Sequence, residues 1–176
     1  MIRFEILSGL PGDGPVPDYF GFETHGRYRE GFVVRFHPAD CEPWVGNFQR
    51  GMTDLCHVLD GASPALVTVI AGGQAYEIDI ATRQLVREFG GAIEFCAEVP
   101  EINGVVVGNG LWFEAFHGPV LLWSTRRLSW DGVRHVSINR LVLSGEAYNP
   151  MGDCWTTFSV DLKDGTATGG SYNGPG

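Results

Sequence analysis

The stretch AGGQAYEIDIATRQLV, residues 71–86, decides the fold class of this 176-residue chain. After its glycine pair, Tyr76, Ile78 and Ile80 alternate with other side chains and share one face of an extended segment. A period of two predicts a half-buried β-strand. The polar corner that follows, and the apolar residues after it, predict that the chain turns back as a hairpin.

The same alternation recurs along the chain, and glycine corners separate the alternating segments. These segments are residues 2–6, 32–37, 75–80, 135–139 and 157–162, and the corners are Asp60-Gly61, Gly72-Gly73, Gly108-Asn109-Gly110, Asp131-Gly132 and Asp164-Gly165. Asp-Gly and Asn-Gly pairs tolerate the positive φ angles of tight hairpin turns. LSWDGVRHVSI (128–138) and VDLKDGTATGG (160–170) are therefore predicted to be hairpins, and the chain from Val67 onward to be an antiparallel meander.

These patterns predict one all-β domain over residues 1–176, an antiparallel meander forming a sandwich or barrel-like sheet, with at most one or two short helices. The alternative is an incomplete propeller of blade-like units. Residues 51–61, GMTDLCHVLDG, fit a short helix as well as an extended segment. Residues 79–91 also have helical spacing, but the strand formers before them favour a hairpin.

Composition and charge narrow the classes of partner. The formal net charge is −9, and Arg126-Arg127 is the only basic doublet in the sequence. Because an acidic surface repels phosphate groups, we predict that neither nucleic acid nor an anionic membrane surface is a partner. The first ten residues lack the apolar run of a secretory signal. The four cysteines form no CxxC pair, which favours reduced thiols and a cytoplasmic setting. The sequence does not indicate an oligomeric state.

Short echoes indicate an internal repeat. GQAY (73–76) is echoed by GEAY (145–148), and YEIDI (76–80) is echoed by FSVDL (158–162). GLWFEAF (110–116) is a third, weaker relative. The starts at Gly73, Gly110 and Gly145 lie 37 and 35 residues apart, a spacing found in β repeats.

This Gly-x-Ala-Tyr and aromatic-x-Ile-Asp pattern resembles the blade strands of quinoprotein-type β-propellers, which implies blade-like units. The quinone and metal residues of that family have no counterparts here, so the resemblance implies no cofactor. WVGNFQ, VIAGGQAY and GGSY also resemble small bacterial β-rich proteins, and that similarity implies no activity.

No strong catalytic motif is present: the chain has no GxSxG, HExxH, P-loop or EF-hand pattern. We therefore predict no catalytic residue, no metal and no cofactor. A small metal-dependent or carboxylate-based hydrolase remains the alternative. Its candidates are the carboxylates Glu77 and Asp79 on one strand face, the adjacent Cys56 and His57, and His37 with Cys41.

The tryptophans supply the favoured functional hypothesis. Trp112 and Trp155 fall on the polar faces of their predicted strands, and AYNPMGDCW (147–155) interrupts an otherwise regular hairpin. Irregular loops on rigid sheets commonly carry binding residues. The candidate ligand-binding residues are Trp112, Tyr148, Asn149, Asp153 and Trp155.

The sequence thus favours a non-enzymatic binding or protein-interaction module. Its acidic surface suits a basic protein partner, one version being an immunity-type protein that covers a basic toxin. A carbohydrate-binding module that uses the tryptophans is a further alternative.

Overall fold

The computed structural model describes residues 3–21, 29–60 and 65–174, and these residues are almost entirely β. Among them, a single 3₁₀ turn at Pro100–Ile102 is the one helical element. The predicted all-β, antiparallel class is therefore confirmed. Ile2, in the strand predicted for residues 2–6, and Gly61, in the predicted Asp60-Gly61 corner, lie outside the described residues.

The chain divides into two compact units, residues 1–93 and 94–176. The first unit contains two four-stranded sheets. Sheet A has the order β1-β3-β4-β2, and sheet B has the order β5-β6-β7-β8. Their strands are β1 Phe4–Leu7, β2 Asp18–Phe20, β3 Phe32–Phe36, β4 Trp44–Phe48, β5 His57–Asp60, β6 Leu66–Ala71, β7 Gln74–Asp79 and β8 Gln84–Gly90.

The second unit also contains two four-stranded sheets. Sheet C has the order β12-β11-β10-β9, and sheet D has the order β13-β14-β15-β16. Their strands are β9 Phe95–Val99, β10 Gly104–Gly108, β11 Phe113–His117, β12 Val120–Ser124, β13 Val133–Asn139, β14 Val142–Asn149, β15 Cys154–Asp161 and β16 Ala167–Gly169.

Sheets B, C and D are antiparallel meanders, whereas sheet A includes the parallel pair β2–β4. Within the described residues no sheet closes into a barrel. Four strands in meander order are also the make-up of a propeller blade. The part of the chain that the structure describes has no helix long and apolar enough to cross a membrane.

Aromatic side chains fill the core of each unit. In the first unit, the rings of Phe36 and Trp44 lie 4.5 Å apart and those of Phe48 and Tyr76 lie 5.4 Å apart. In the second unit, Phe113 and Phe158 pack with centroids 5.7 Å apart. These distances are typical of stabilising aromatic pairs.

A tryptophan indole joins the two sheets of each unit. Trp44 on β4 donates its Nε1–H to the carbonyl of Ile80, directly after β7, at 2.9 Å. Trp123 on β12 donates in the same way to the carbonyl of Leu162, directly after β15, at 2.8 Å. Both indoles are buried, so each bond satisfies a donor that could not otherwise reach water.

The two carbonyls belong to the strongest sequence echo, YEIDI and FSVDL. Both stretches contain the end of the third strand of their sheet and the residue after it. Ile80 and Leu162 also donate their backbone N–H to the carbonyl of the residue that precedes the second strand. This echo therefore marks equivalent positions. The GQAY–GEAY echo does not, because GEAY lies within the second strand of sheet D, whereas GQAY begins in the turn before β7.

Three predicted corners lie between paired strands, at residues 72–73, 108–110 and 164–165. The hairpin predicted for residues 128–138 is wrong, because β12 ends at Ser124 in sheet C and β13 opens sheet D. Gly132 does have a positive φ of 87°. The Asp-Gly pair thus sets the local backbone angle, but it does not make its flanking segments pair.

Glycines form a dense junction in the first unit. A Cβ on Gly51 would lie 2.5 Å from the Gly91 carbonyl oxygen, so the backbones approach as closely as glycine allows. Thr53 N–H donates to the Gly72 carbonyl and Gly73 N–H to the Leu55 carbonyl. Because residues 51–55 use these groups to bind the β6–β7 hairpin, the helix considered for residues 51–61 does not form over the described part of that stretch, residues 51–60.

We expect Trp44→Phe to lower the free energy of unfolding by about 2 kcal/mol, because it leaves the buried Ile80 carbonyl without its donor. Trp123→Phe should behave alike. Chemical denaturation measures both. Trp112→Phe is the matched control, since Trp112 is half-buried and no hydrogen bond of its indole is present in the described structure. Equal stability of all three variants would contradict the role of the indole bonds.

We expect Gly73→Ala to cost about 2 kcal/mol or more, since φ is +84° and the new Cβ would lie 2.5 Å from Thr53 Oγ1. Gly12→Ala is the control, because a Cβ at that position would have no neighbour within 4 Å and the φ of Gly12 is not positive. Thermal unfolding compares the two variants. A Gly73 variant as stable as the Gly12 variant would refute the close approach.

Candidate binding surface

The β14–β15 hairpin is longer than its equivalent in the first unit. The pairs Ala71–Gln74 and Ala147–Thr156 occupy matching positions when YEIDI (76–80) is aligned with FSVDL (158–162). Two glycines, residues 72–73, lie between the members of the first pair, whereas eight residues, 148–155, lie between those of the second. The extension contains four of the five predicted binding residues.

The extension places an aromatic pair on sheet D. Tyr148 and Trp155 are cross-strand partners, and their ring centroids lie 5.1 Å apart at 46°. The Tyr148 hydroxyl donates to Asp153 Oδ1 at 2.7 Å. Arg134 lies over the Trp155 ring, with Cζ 4.0 Å from its centroid. We call Arg134, Glu146, Tyr148, Asp153 and Trp155 the Tyr148 surface.

Glu146 holds the cation of this surface in place. Arg134 Nε donates to Glu146 Oε2 at 2.8 Å, and His135 Nδ1 lies 3.0 Å from the same oxygen. A β-bulge between Arg134 and Ser137 puts His135 at a φ of +52°. Bulges redirect side chains, and this one lets two consecutive residues reach one carboxylate.

The pKa shifts follow from these contacts. Hydrogen bonds from Arg134, and then from His135, lower the pKa of Glu146, so its carboxylate stays charged. The hydrogen bond to Asp153 is the largest cause that raises the pKa of Tyr148, and the charges of Asp153 and Asp131 add to it. Tyr148 is therefore a neutral phenol at neutral pH.

Two serine hydroxyls fix the backbone of Tyr148. Ser171 Oγ donates to the Tyr148 carbonyl at 2.6 Å, and buried Ser129 Oγ lies 3.3 Å from the same oxygen. Tyr148 N–H donates to the Gly132 carbonyl at 3.1 Å. Hydrogen bonds thus fix both the N–H and the carbonyl of Tyr148. A fixed backbone preorganises the Tyr148 ring for contact with a ligand.

Of the predicted binding residues, the structure brings Tyr148, Asp153 and Trp155 together. Asn149 lies in the same hairpin, where its Oδ1 accepts the Met151 N–H and shapes the turn. Trp112 lies just before β11 in sheet C, and the described residues show no ring contact between it and this group. Trp112 and Trp155 are both half-buried.

Sequence reasoning missed Arg134, Glu146, Ser129 and Ser171. Arg134 and Glu146 are twelve residues apart and meet only because β13 and β14 pair in one register. A charged residue on each of two predicted neighbouring strands was the available signal. Nothing local marked the two serines, since their common acceptor lies on another segment.

The carboxylates suggested for a hydrolase are engaged elsewhere. Glu77 is buried, and its Oε2 accepts from Arg87 Nε at 2.8 Å on the adjacent strand. Asp79 Oδ1 accepts the backbone N–H groups of Ala81 and Thr82 and thus caps the corner after β7. The equivalent residue Asp161 accepts from Lys163 N–H in the same manner.

The thiol candidates have structural surroundings. Cys56 Sγ accepts the Gly72 N–H at 3.3 Å, and the side chain packs against the core, while His57 is exposed. Burial, and then Glu98, raises the pKa of Cys96 to about 11. All four cysteines are free thiols. The described residues contain no group of three His, Cys, Asp or Glu side chains placed to hold a metal ion.

No family model matches the chain, and no curated protein matches it. Among solved structures, the chain is similar to one titled "Crystal structure of the eukaryotic initiation factor", with a TM-score of 0.45 and 9% identity over 81% of this chain. The chain spans 40% of the length of that protein chain.

We expect Arg87→Thr alone to lower the free energy of unfolding by about 3 kcal/mol, since it leaves the buried Glu77 carboxylate without its arginine partner. In sheet D the matching residues are Ser159 and Thr168, whose hydroxyls lie 2.8 Å apart. The double variant Glu77→Ser/Arg87→Thr copies that pair and should recover much of the loss. Urea denaturation tests this, and a double variant less stable than the single one would contradict it.

Proposed function

We propose that this chain is a non-enzymatic binding module and that the Tyr148 surface contacts a basic protein partner. The observation that carries the proposal is the hairpin extension, which adds an aromatic pair and a carboxylate to a frame that the first unit closes with two glycines. Function commonly resides in such additions to a shared scaffold.

The chemistry around Tyr148 favours a cationic partner. Arg134 already neutralises Glu146 and covers Trp155, but the described structure shows no ion pair for the exposed Asp131 and Asp153. Both carboxylates act on the Tyr148 phenol. An arginine or lysine from a partner could pair with them and stack on the tyrosine ring.

Charge over the whole chain supports the same partner class. A net charge of −9 speeds encounter with a basic surface, and the aromatic pair then supplies apolar contact area. An immunity-type protein that covers a basic toxin is one version of the proposal. The proposal includes a cytoplasmic setting, which would keep the four free thiols reduced.

Carbohydrate is the second candidate. Two neighbouring aromatic rings beside a carboxylate can stack on a sugar and accept its hydroxyl hydrogen bonds. The hydrolase alternative has less support, because Glu77 is paired with Arg87 and Asp79 is part of a turn.

We expect replacement of residues 148–155 by Gly-Gly to leave a folded chain and to weaken binding of a cationic probe at least tenfold. The probe is a fluorescent Gly-Arg repeat peptide, measured by anisotropy at low and physiological salt, with a Gly-Glu peptide as its counterpart. Circular dichroism checks the fold of the variant.

Single variants sharpen this test. Asp153→Asn should weaken binding of the Gly-Arg peptide. Asp13→Asn removes the same charge from an exposed loop of the first unit and should have little effect on that binding. Equal losses would mean that only net charge matters and would defeat the proposal. Tryptophan quenching by a panel of sugars, abolished by Trp155→Ala, would instead favour the carbohydrate candidate.

A further inference from the structure

The edge strand β12 exposes three consecutive apolar side chains. Val120, Leu121 and Leu122 are 56%, 51% and 44% exposed, respectively, and β12 is the outer strand of sheet C. Contiguous exposed apolar groups on a sheet edge mark interaction sites or aggregation hazards. This strand is therefore the surface of the second unit that most needs a partner.

The other edges are protected by charge. Among the described strands, each remaining edge strand carries an ionisable residue except β16, which is only three residues long: Glu5 on β1, Asp18 on β2, His57 and Asp60 on β5, Arg87 and Glu88 on β8, Glu98 on β9, and Arg134 and His135 on β13. Natural sheets place charges on edges to prevent unwanted pairing. β12, with the sequence VLLWS, has none.

The backbone of β12 also offers hydrogen-bonding groups. Thr125 N–H donates to the Phe113 carbonyl, so the preceding residue, Ser124, directs its N–H away from β11. No described strand lies beyond β12 at this edge of sheet C to accept that N–H. Leu122 is the extra residue of a bulge opposite β11, which restricts an added strand to a matching register.

Two arginines follow the strand and have no carboxylate partner in the described structure. Arg126 donates to backbone carbonyls, including that of Gly169 at 2.6 Å, and Arg127 donates to those of Ser129 and Trp130. These bonds position both guanidinium groups but do not neutralise them. Positive charge at the end of an apolar edge is complementary to an acidic segment.

We propose that β12 binds an extended peptide by strand addition, with acidic residues at the N-terminal end of the peptide and alternating apolar residues after them. The strand would run antiparallel to β12, as all neighbours in sheet C do, so its N-terminus meets Arg126. A second copy of this chain, paired antiparallel through β12, fits less well, because the residues before that strand, 117–119, are His, Gly and Pro and supply no carboxylate for Arg126. This site shares no residue with the Tyr148 surface.

The experiment uses a short fluorescent peptide with two N-terminal glutamates followed by alternating valine and threonine, titrated into the full chain. We expect binding that falls at least tenfold when lysines replace the glutamates, when the glutamates move to the C-terminus, or when alternate residues are N-methylated. N-methylation removes the backbone donors of the peptide while the protein is unchanged, so protein folding cannot explain that loss.

Protein variants locate the site. Leu121→Lys and Ser124→Pro should abolish peptide binding, whereas Met52→Lys, on an exposed loop of the first unit, should not. The Gly-Gly replacement of residues 148–155 should still bind this peptide, which separates the inference from the proposed function. Peptide binding unaffected by Leu121→Lys would overturn it, and so would a dimer in sedimentation that Leu121→Lys dissociates.

Discussion

The hydrogen bond from a buried indole to the carbonyl at the end of a third strand is the contact on which each unit depends. In the described part of the chain it runs from Trp44 to Ile80 in the first unit and from Trp123 to Leu162 in the second. Each bond connects two sheets that share no ladder. The tryptophan side chain fills the core. Its indole N–H also donates to a buried backbone carbonyl that would otherwise have no hydrogen-bond partner.

This shared contact gives the two units comparable frames with different surfaces. The position that holds the ion pair of buried Glu77 with Arg87 in sheet B holds the hydroxyl pair of Ser159 with Thr168 in sheet D. The frame thus tolerates different polar pairs between the same strands. Sheets B and D differ more in the hairpin between their second and third strands, and in sheet D this hairpin carries the aromatic pair and Asp153 of the Tyr148 surface.

The alternation around Tyr76 was enough to predict the fold class, because burial on one face and exposure on the other dictate a period of two. Turn chemistry was a weaker guide, since Asp131-Gly132 has the predicted backbone angle but joins two different sheets. Strand register lay beyond the sequence: Arg134 and Glu146 become neighbours only after β13 and β14 align across a bulge. The binding role of the predicted residues stays a prediction.

The glycine junction in the first unit explains why only one hairpin became elaborate. Gly72 and Gly73 are clasped by residues 51–55, so additional residues there would separate segments that the fold requires to touch. The tip of the hairpin at residues 148–155 is not packed in this way, and Met151 there is 89% exposed. Packing therefore restricts the length and sequence of the turn at residues 72–73. The hairpin at residues 148–155 can change in both without disturbing the fold.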